Sequence, residues 1–305
     1  MSKATIATAQ LSSCVGCHVS LLDLHEKLLD LLEDAIEIEY CYVLVDQKEI
    51  PEHVDVAVIE GSIRNEEDLE VAEELREAAN IVVAVGTCAC YGGVHGLANL
   101  HHIDDVLEWV FKETPTTDDE GETPEEVVPE IFDYVRPLPE VIDVDYMLPG
   151  CPPKPESIAE VITAIIEDRQ PKLPTTNLCE ECPREKEDIP IEDIKFRTGQ
   201  GRPDPDKCLL EQGYPCMGPA TIAGCEAACP SRGLPCRGCN GPTKQALDQG
   251  AAFLDAIASV SFETGVDVEE ILKGLADLPG KLYMFSMAAS LLKGHRDVIF
   301  GSRGE

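Results

Sequence analysis

Cations are scarce in this 305-residue chain: 24 lysines and arginines face 58 aspartates and glutamates, a formal net charge of -34. Such a surface repels phosphate backbones and argues against nucleic acid as a partner. Aromatic residues make up only 5%, too few for a base-stacking platform, and Met217 adds nothing to one. No apolar run reaches membrane-spanning length. The longest leucine-rich piece, SLLDLHEKLLDLLED, carries charge at helical spacing and reads as an amphipathic helix of a soluble protein. The N-terminus MSKATIATAQ has no basic n-region, no long apolar h-region and no cleavage pattern, which predicts a cytoplasmic chain and disfavours disulfides. There is no nucleophilic triad, dinucleotide fingerprint or Walker sequence, and GTCACYGG lacks the lysine and helix context of a phosphate loop. Bond chemistry on this chain is not expected.

Cysteine, by contrast, is abundant, with fourteen residues. Cys14 and Cys17 form a CxxC, Cys88 sits in GTCACYGG and Cys151 in PGCPP. Eight more fall between residues 179 and 239: Cys179, Cys182, Cys208, Cys216, Cys225, Cys229, Cys236 and Cys239. Only Cys41 and Cys90 are left over, so the arithmetic points to three tetrathiolate sites. Thiolates at this spacing suit iron-sulfur clusters, and spacing alone leaves structural zinc open.

Up to about residue 170, short apolar runs alternate with amphipathic patterns. They predict strands at residues 5–11, 38–45, 54–59, 81–85 and 141–147, and helices at 21–34, 66–79, 103–112 and 155–167. Asn65 followed by Glu66, Glu67 and Asp68 is a strong helix start. The alternation predicts a flavodoxin-like parallel sheet covered on both faces, with residues 113–139 as an excursion. Residues 1–170 then form one domain. Residues 171–305 form a second, cysteine-rich and largely irregular, in which 178–243 lack the apolar periodicity for a core of their own and depend on clusters. Helical patterning resumes in DQGAAFLDAIASV and VEEILKGLADL. In the first domain Cys14 and Cys17 follow the first predicted strand, Cys88 the fourth and Cys151 the fifth, so all four collect at the carboxyl edge of the sheet, where open α/β sheets hold ligands.

CVGC, VIEG at Val58–Gly61, GTCACYGG, PGCPP, CLLEQGYPCMGPAT and PCRGC, in this order, resemble the small, electron-transferring subunit of nickel-iron hydrogenases over nearly the whole chain. The resemblance implies that Cys14, Cys17, Cys88 and Cys151 hold a proximal 4Fe-4S cluster, and that Cys179, Cys182, Cys208 and Cys216 hold a distal one. Cys225, Cys236 and Cys239 match a medial site, which Cys229 is available to complete as 4Fe-4S. Many members carry histidine where Cys179 stands and a three-iron medial cluster. Three all-thiolate clusters imply a low-potential route, because thiolate adds negative charge relative to imidazole. Within the cytoplasmic branch, LPTTNLCEECPREK with MGPATIAGCEAACPSRGLPCRGC is most similar to the methyl-viologen-reducing hydrogenases of methanogens. That similarity implies a nickel-iron large subunit that splits dihydrogen, and a 2Fe-2S subunit leading to heterodisulfide reductase. The small subunit of deazaflavin-reducing hydrogenase is the nearby alternative, and a zinc-binding structural protein the distant one.

The remaining candidates are weaker. Glu60 closes the third predicted strand on the cluster edge and could orient a ligand or carry protons; an acid facing solvent or bonding amides of the next loop is an equal reading. His18 adjoins the CxxC and reads as a capping or surface residue. His101 and His102 have no assigned role. Cys41 reads as a small buried hydrophobe. Cys90 stands two residues from Cys88, too close to share one cubane with it.

Overall fold

A computed structural model describes residues 3–117, 121–191, 194–195, 201–261, 275 and 277–293. Five parallel strands make the main sheet: β1 (Ala4–Gln10), β2 (Ile36–Cys41), β3 (Val54–Glu60), β5 (Ala79–Val85) and β7 (Tyr146–Leu148), in the order β2-β1-β3-β5-β7. Counting only these strands, the order is that of flavodoxin. The period-2 pattern explains why both faces are buried. Ala7, Ala57, Ile59 and Val82 point to one layer, and Ile6, Val56, Val58 and Val83 to the other. Helix α3 (Glu66–Ala78) covers the first layer with Ala72 and Leu75. The second is covered by α1 (Gly16–Leu22), α2 (Glu26–Asp34) and α6 (Pro155–Ile166), through Leu21, Leu28, Ile158, Val161 and Ile162.

The α3 start is a capping box. Asp68 N donates to Asn65 Oδ1 at 2.8 Å, and Asn65 N donates back to Asp68 Oδ2 at 3.2 Å. A cap of this kind contributes about 0.5–2 kcal/mol. Asp68 also accepts from Ser12 Oγ at 2.7 Å, which pins the end of β1 beside α3.

Several boundaries differ from the sequence expectation. The helix expected over 21–34 is two helices, because His25 takes φ +51° between them. β2 stops at Cys41, and the apolar letters that follow, Tyr42 and Val43, lie in an exposed turn. The fifth sheet strand shrinks to three residues, because 138–142 turn through a 3-10 segment first. Beyond α4 (Gly86–Tyr91), the helix at 103–112 begins as α5 (Ile103–Glu108) and widens into a π turn at Trp109–Glu113. The excursion returns as β6 (Ile131–Arg136), antiparallel to β4 (Ile63–Asn65), a ribbon too short for a periodicity signal.

Residues 178–243 share an apolar core with the helices that follow them. Leu178, Leu209, Tyr214, Met217, Phe253 and Ile257 are each nearly or fully buried together, with Cys216 and Cys236 among them. Leu178, Leu209, Tyr214 and Met217 come from irregular turns, so no repeat announces them. Phe253 and Ile257 belong to α7 (Gln249–Ser261), and Leu282 of α8 (Leu278–Leu282) closes the layer. VEEILKGLADL falls mostly outside the described residues. Among the described residues no helix is long and apolar enough to cross a membrane.

Candidate metal centres

The strand ends bring Cys14, Cys17, Cys88 and Cys151 to one place. Cys17 lies in the first turn of α1 after β1, Cys88 in α4 directly after β5, and Cys151 three residues past β7. Burial and the charges of Cys151 and Cys14 push the Cys88 thiol up to about 12. Cys17 is raised by burial, then by Glu60, Cys88 and Cys151. Thiols that oppose one another's ionisation become thiolates when a metal binds among them.

Two glycines make room for these sulfurs. Gly86, at φ +85°, would drive a Cβ into the Cys17 sulfur, and Gly93, at φ +65°, would bring one within 2.5 Å of Cys88 Sγ. Gly16 lies similarly against Cys14, with a Cβ 3.2 Å from its sulfur.

A second gathering joins Cys179, Cys182, Cys208 and Cys216. Burial, then Cys216, Cys208 and Cys182, push the Cys179 thiol up to about 12. All four line a cavity of about 410 Å³. A third surrounds Cys239, whose thiol is pushed up to about 12 by burial and then by Cys225, Cys151 and Cys229. Cys236 is raised by burial, then by Cys216 and Cys239. A cavity of about 410 Å³ lined by four thiols has room for a multi-iron body, where a tetrathiolate zinc site closes all its sulfurs to about 2.3 Å from one ion.

The three gatherings touch. Thr87, buried beside Cys88, donates from Oγ1 to the Cys239 carbonyl and accepts from Gly150 N at 2.9 Å, while its own N–H donates to Gly150 O at 2.9 Å. One residue thereby stitches the Cys88, Cys151 and Cys239 loops together. The buried, polar type of Thr87 inside GTCACYGG is its only sequence signal.

Glu60 is buried and bonds amides in the first turn of α1, not in the loop that follows its own strand: Oε2 accepts from Cys17 N at 2.9 Å and His18 N at 3.2 Å, and Oε1 from Ser13 Oγ at 3.2 Å. His18 is buried rather than on the surface. Its Nδ1 stands 3.1 Å from Glu60 Oε1, off the line of a hydrogen bond, and its Nε2 is 3.0 Å from Thr8 Oγ1. Burial raises Glu60, but His18, Cys17 and Ser13 override it and hold the carboxyl below its ordinary range. Burial lowers His18, but Cys41 and Glu60 outweigh it and hold the imidazole up at about 9. Cys41 is buried as expected and is more than a hydrophobe. Burial alone raises its thiol, while hydrogen bonds with His18 and Thr8 bring it down to about 7. Cys90 is buried apart, its thiol donating to Ala84 O at 3.4 Å. The other two histidines, without a role in the sequence, lie apart from these sites: His102 precedes α5, and His101 caps the 3-10 turn before it.

A parallel sheet with cysteines gathered on its carboxyl edge and continued by a second cysteine-bearing core is an arrangement suited to an iron-sulfur protein. Residues 14–165 match the family described as NADH ubiquinone oxidoreductase, 20 Kd subunit. The chain is 50% identical over 254 residues to a subunit of the F420-non-reducing hydrogenase vhu of Methanocaldococcus jannaschii, covering 83% of this chain and 87% of that one. To a subunit of the F420-non-reducing hydrogenase of Methanothermobacter marburgensis it is 49% identical over 298 residues, 95% of this chain and 96% of that one. A chain in the crystal structure of an NAD+-reducing [NiFe]-hydrogenase in the H2-reduced state superposes with TM-score 0.55 at 37% identity, over 57% of this chain and 96% of that one. The chain belongs to the nickel-iron hydrogenase small subunits, in the group from the F420-non-reducing hydrogenases, and is part of an oxidoreductase.

Proposed function

We propose that this chain is the electron-transferring subunit that carries electrons from dihydrogen oxidation in a nickel-iron large subunit, through three 4Fe-4S clusters, to a 2Fe-2S subunit and heterodisulfide reductase in the cytoplasm. Cys14, Cys17, Cys88 and Cys151 hold the proximal cluster, Cys225, Cys229, Cys236 and Cys239 the medial, and Cys179, Cys182, Cys208 and Cys216 the distal. Residues 1–170 form the domain of the first and residues 171–305 that of the other two. When bound, such clusters supply one-electron redox centres inside the protein. The chain's own residues hold and orient them: Gly86 and Gly93 leave space at the sulfurs, and Glu60 fixes the Cys17 amide.

The observation that carries this reading is the order of contacts between sets. Cys239 adjoins Cys151, and Cys236 N donates to Cys216 Sγ at 3.2 Å, so the set of Cys225 lies between the other two. A serial arrangement is what conduction requires. The relatives' names favour an acceptor other than the deazaflavin coenzyme F420. The anaerobically purified chain, alone, should reduce no dye with dihydrogen, yet bleach fully with a strong low-potential reductant. Dihydrogen-dependent dye reduction by the isolated chain would defeat the proposal.

A further inference from the structure

Between two cysteines of the medial set stands Arg237. Its guanidinium is half-buried, and Nη2 donates to the Met284 thioether at 3.3 Å. In a chain of net charge -34 a partly buried arginine readily finds a carboxylate: Arg76 has Asp145 at 2.9 Å and Arg169 has Glu160 at 2.6 Å. Among the described residues Arg237 enters no ion pair. A thioether is a weak acceptor and supplies no counter-charge.

The surrounding turn is held in place. Gly238 N donates to Cys236 Sγ at 3.4 Å, and Gln249 Nε2 holds Gly238 O at 3.0 Å. A Cβ on Gly238 would come within 2.9 Å of Gln249 and 3.1 Å of Met217. Gln249 is itself fixed by Ser286 Oγ, which donates to its Oε1 at 2.9 Å. The backbone of the turn is therefore fixed, with Arg237 one residue from Cys236 and two from Cys239. The buried carboxylate beside the proximal set differs in this respect, because Glu60 has its own counter-ion in His18 at 3.1 Å.

We infer that Arg237 is the counter-charge of the medial cluster and raises its reduction potential. The inference rests on the proposed assignment of Cys225, Cys229, Cys236 and Cys239 to that cluster. Four thiolates leave a 4Fe-4S centre anionic, and one-electron reduction adds a further negative charge. A fixed cation nearby stabilises the reduced form more than the oxidised one, and partial burial keeps solvent from screening the effect. Arg237 acts through the field it imposes and touches no reacting atom. Its place in the middle set makes entry of an electron from the proximal side more favourable.

The test is a redox titration of the assembled complex monitored by electron paramagnetic resonance. The medial signal is identified by its absence from Cys239→Ser. Arg237→Gln and Arg237→Met should each shift the medial reduction equilibrium about tenfold toward the oxidised form, which for one electron is 59 mV. The other two clusters should titrate as in the parent. Arg237→Lys should stay near the parent. A neutral variant with full iron and an unmoved medial potential overturns the inference, as does a Lys variant shifted as far as the neutral ones. Should both neutral variants lose the medial cluster while Arg237→Lys keeps it, the charge is what holds that centre and the inference stands. Loss in all three makes Arg237 a strut and overturns it. A parent complex lacking the medial signal would instead fail the assignment of the four cysteines, and is told apart by its iron content.

Discussion

Cys236 gives its backbone N–H to the sulfur of Cys216 at 3.2 Å, although the two belong to different sets of four. Three residues on, Cys239 is in contact with the loop of Cys151 across the seam between sheet and cysteine-rich core. The short run PCRGC thus faces both neighbouring sets at once.

Thr87 is the joint on the sheet side of that seam. Thr87→Val keeps the branched shape and removes the hydroxyl, leaving the Gly150 N–H and the Cys239 carbonyl without their partner. Loss of such buried bonds costs about 1–3 kcal/mol. The anaerobic holoprotein should therefore melt at lower temperature with its iron intact, and Thr87→Ser should recover most of the difference. A Val variant as stable as the parent would show that the joint carries no load.

Gly86→Ala should remove the proximal cluster, because its φ of +85° strains any side chain and the Cys17 sulfur occupies the space a Cβ would need. About four of twelve irons should be missing. Gly16→Ala should be milder, since its Cβ would stand 3.2 Å from Cys14 Sγ and that exposed side chain has room to yield. Full iron in the Gly86 variant would count against the proximal site.

Ligands should separate cleanly from bystanders. Cys90→Ser retains a donor for Ala84 O and Cys41→Ala removes a thiol outside all three sets, so both should keep full iron content. Cys151→Ala should lose the proximal cluster. If Cys90→Ser lost as much iron as Cys88→Ser, the ligand in GTCACYGG would be the wrong one.

Much of this was legible in the residues. Period-2 apolar runs located the long strands, and the strand-then-cysteine pattern anticipated the gathering of Cys14, Cys17, Cys88 and Cys151 at one sheet edge. The β4–β6 ribbon was invisible because the three residues of β4 cannot display a period, and the second core was hidden because Leu178, Leu209 and Phe253 reach it from separate segments. The burial of His18 was misread because its partner Glu60 lies 42 residues away in sequence. Thr87 and Arg237 gave no chemical motif at all, since their roles depend on which loops the fold sets beside them.

Metal and acid-labile sulfide analysis of the anaerobically purified protein tests most directly whether twelve cysteines hold three iron-sulfur cubanes. About twelve iron and about twelve sulfide per chain are expected, with visible charge-transfer absorption. Stoichiometric zinc without sulfide would contradict this assignment.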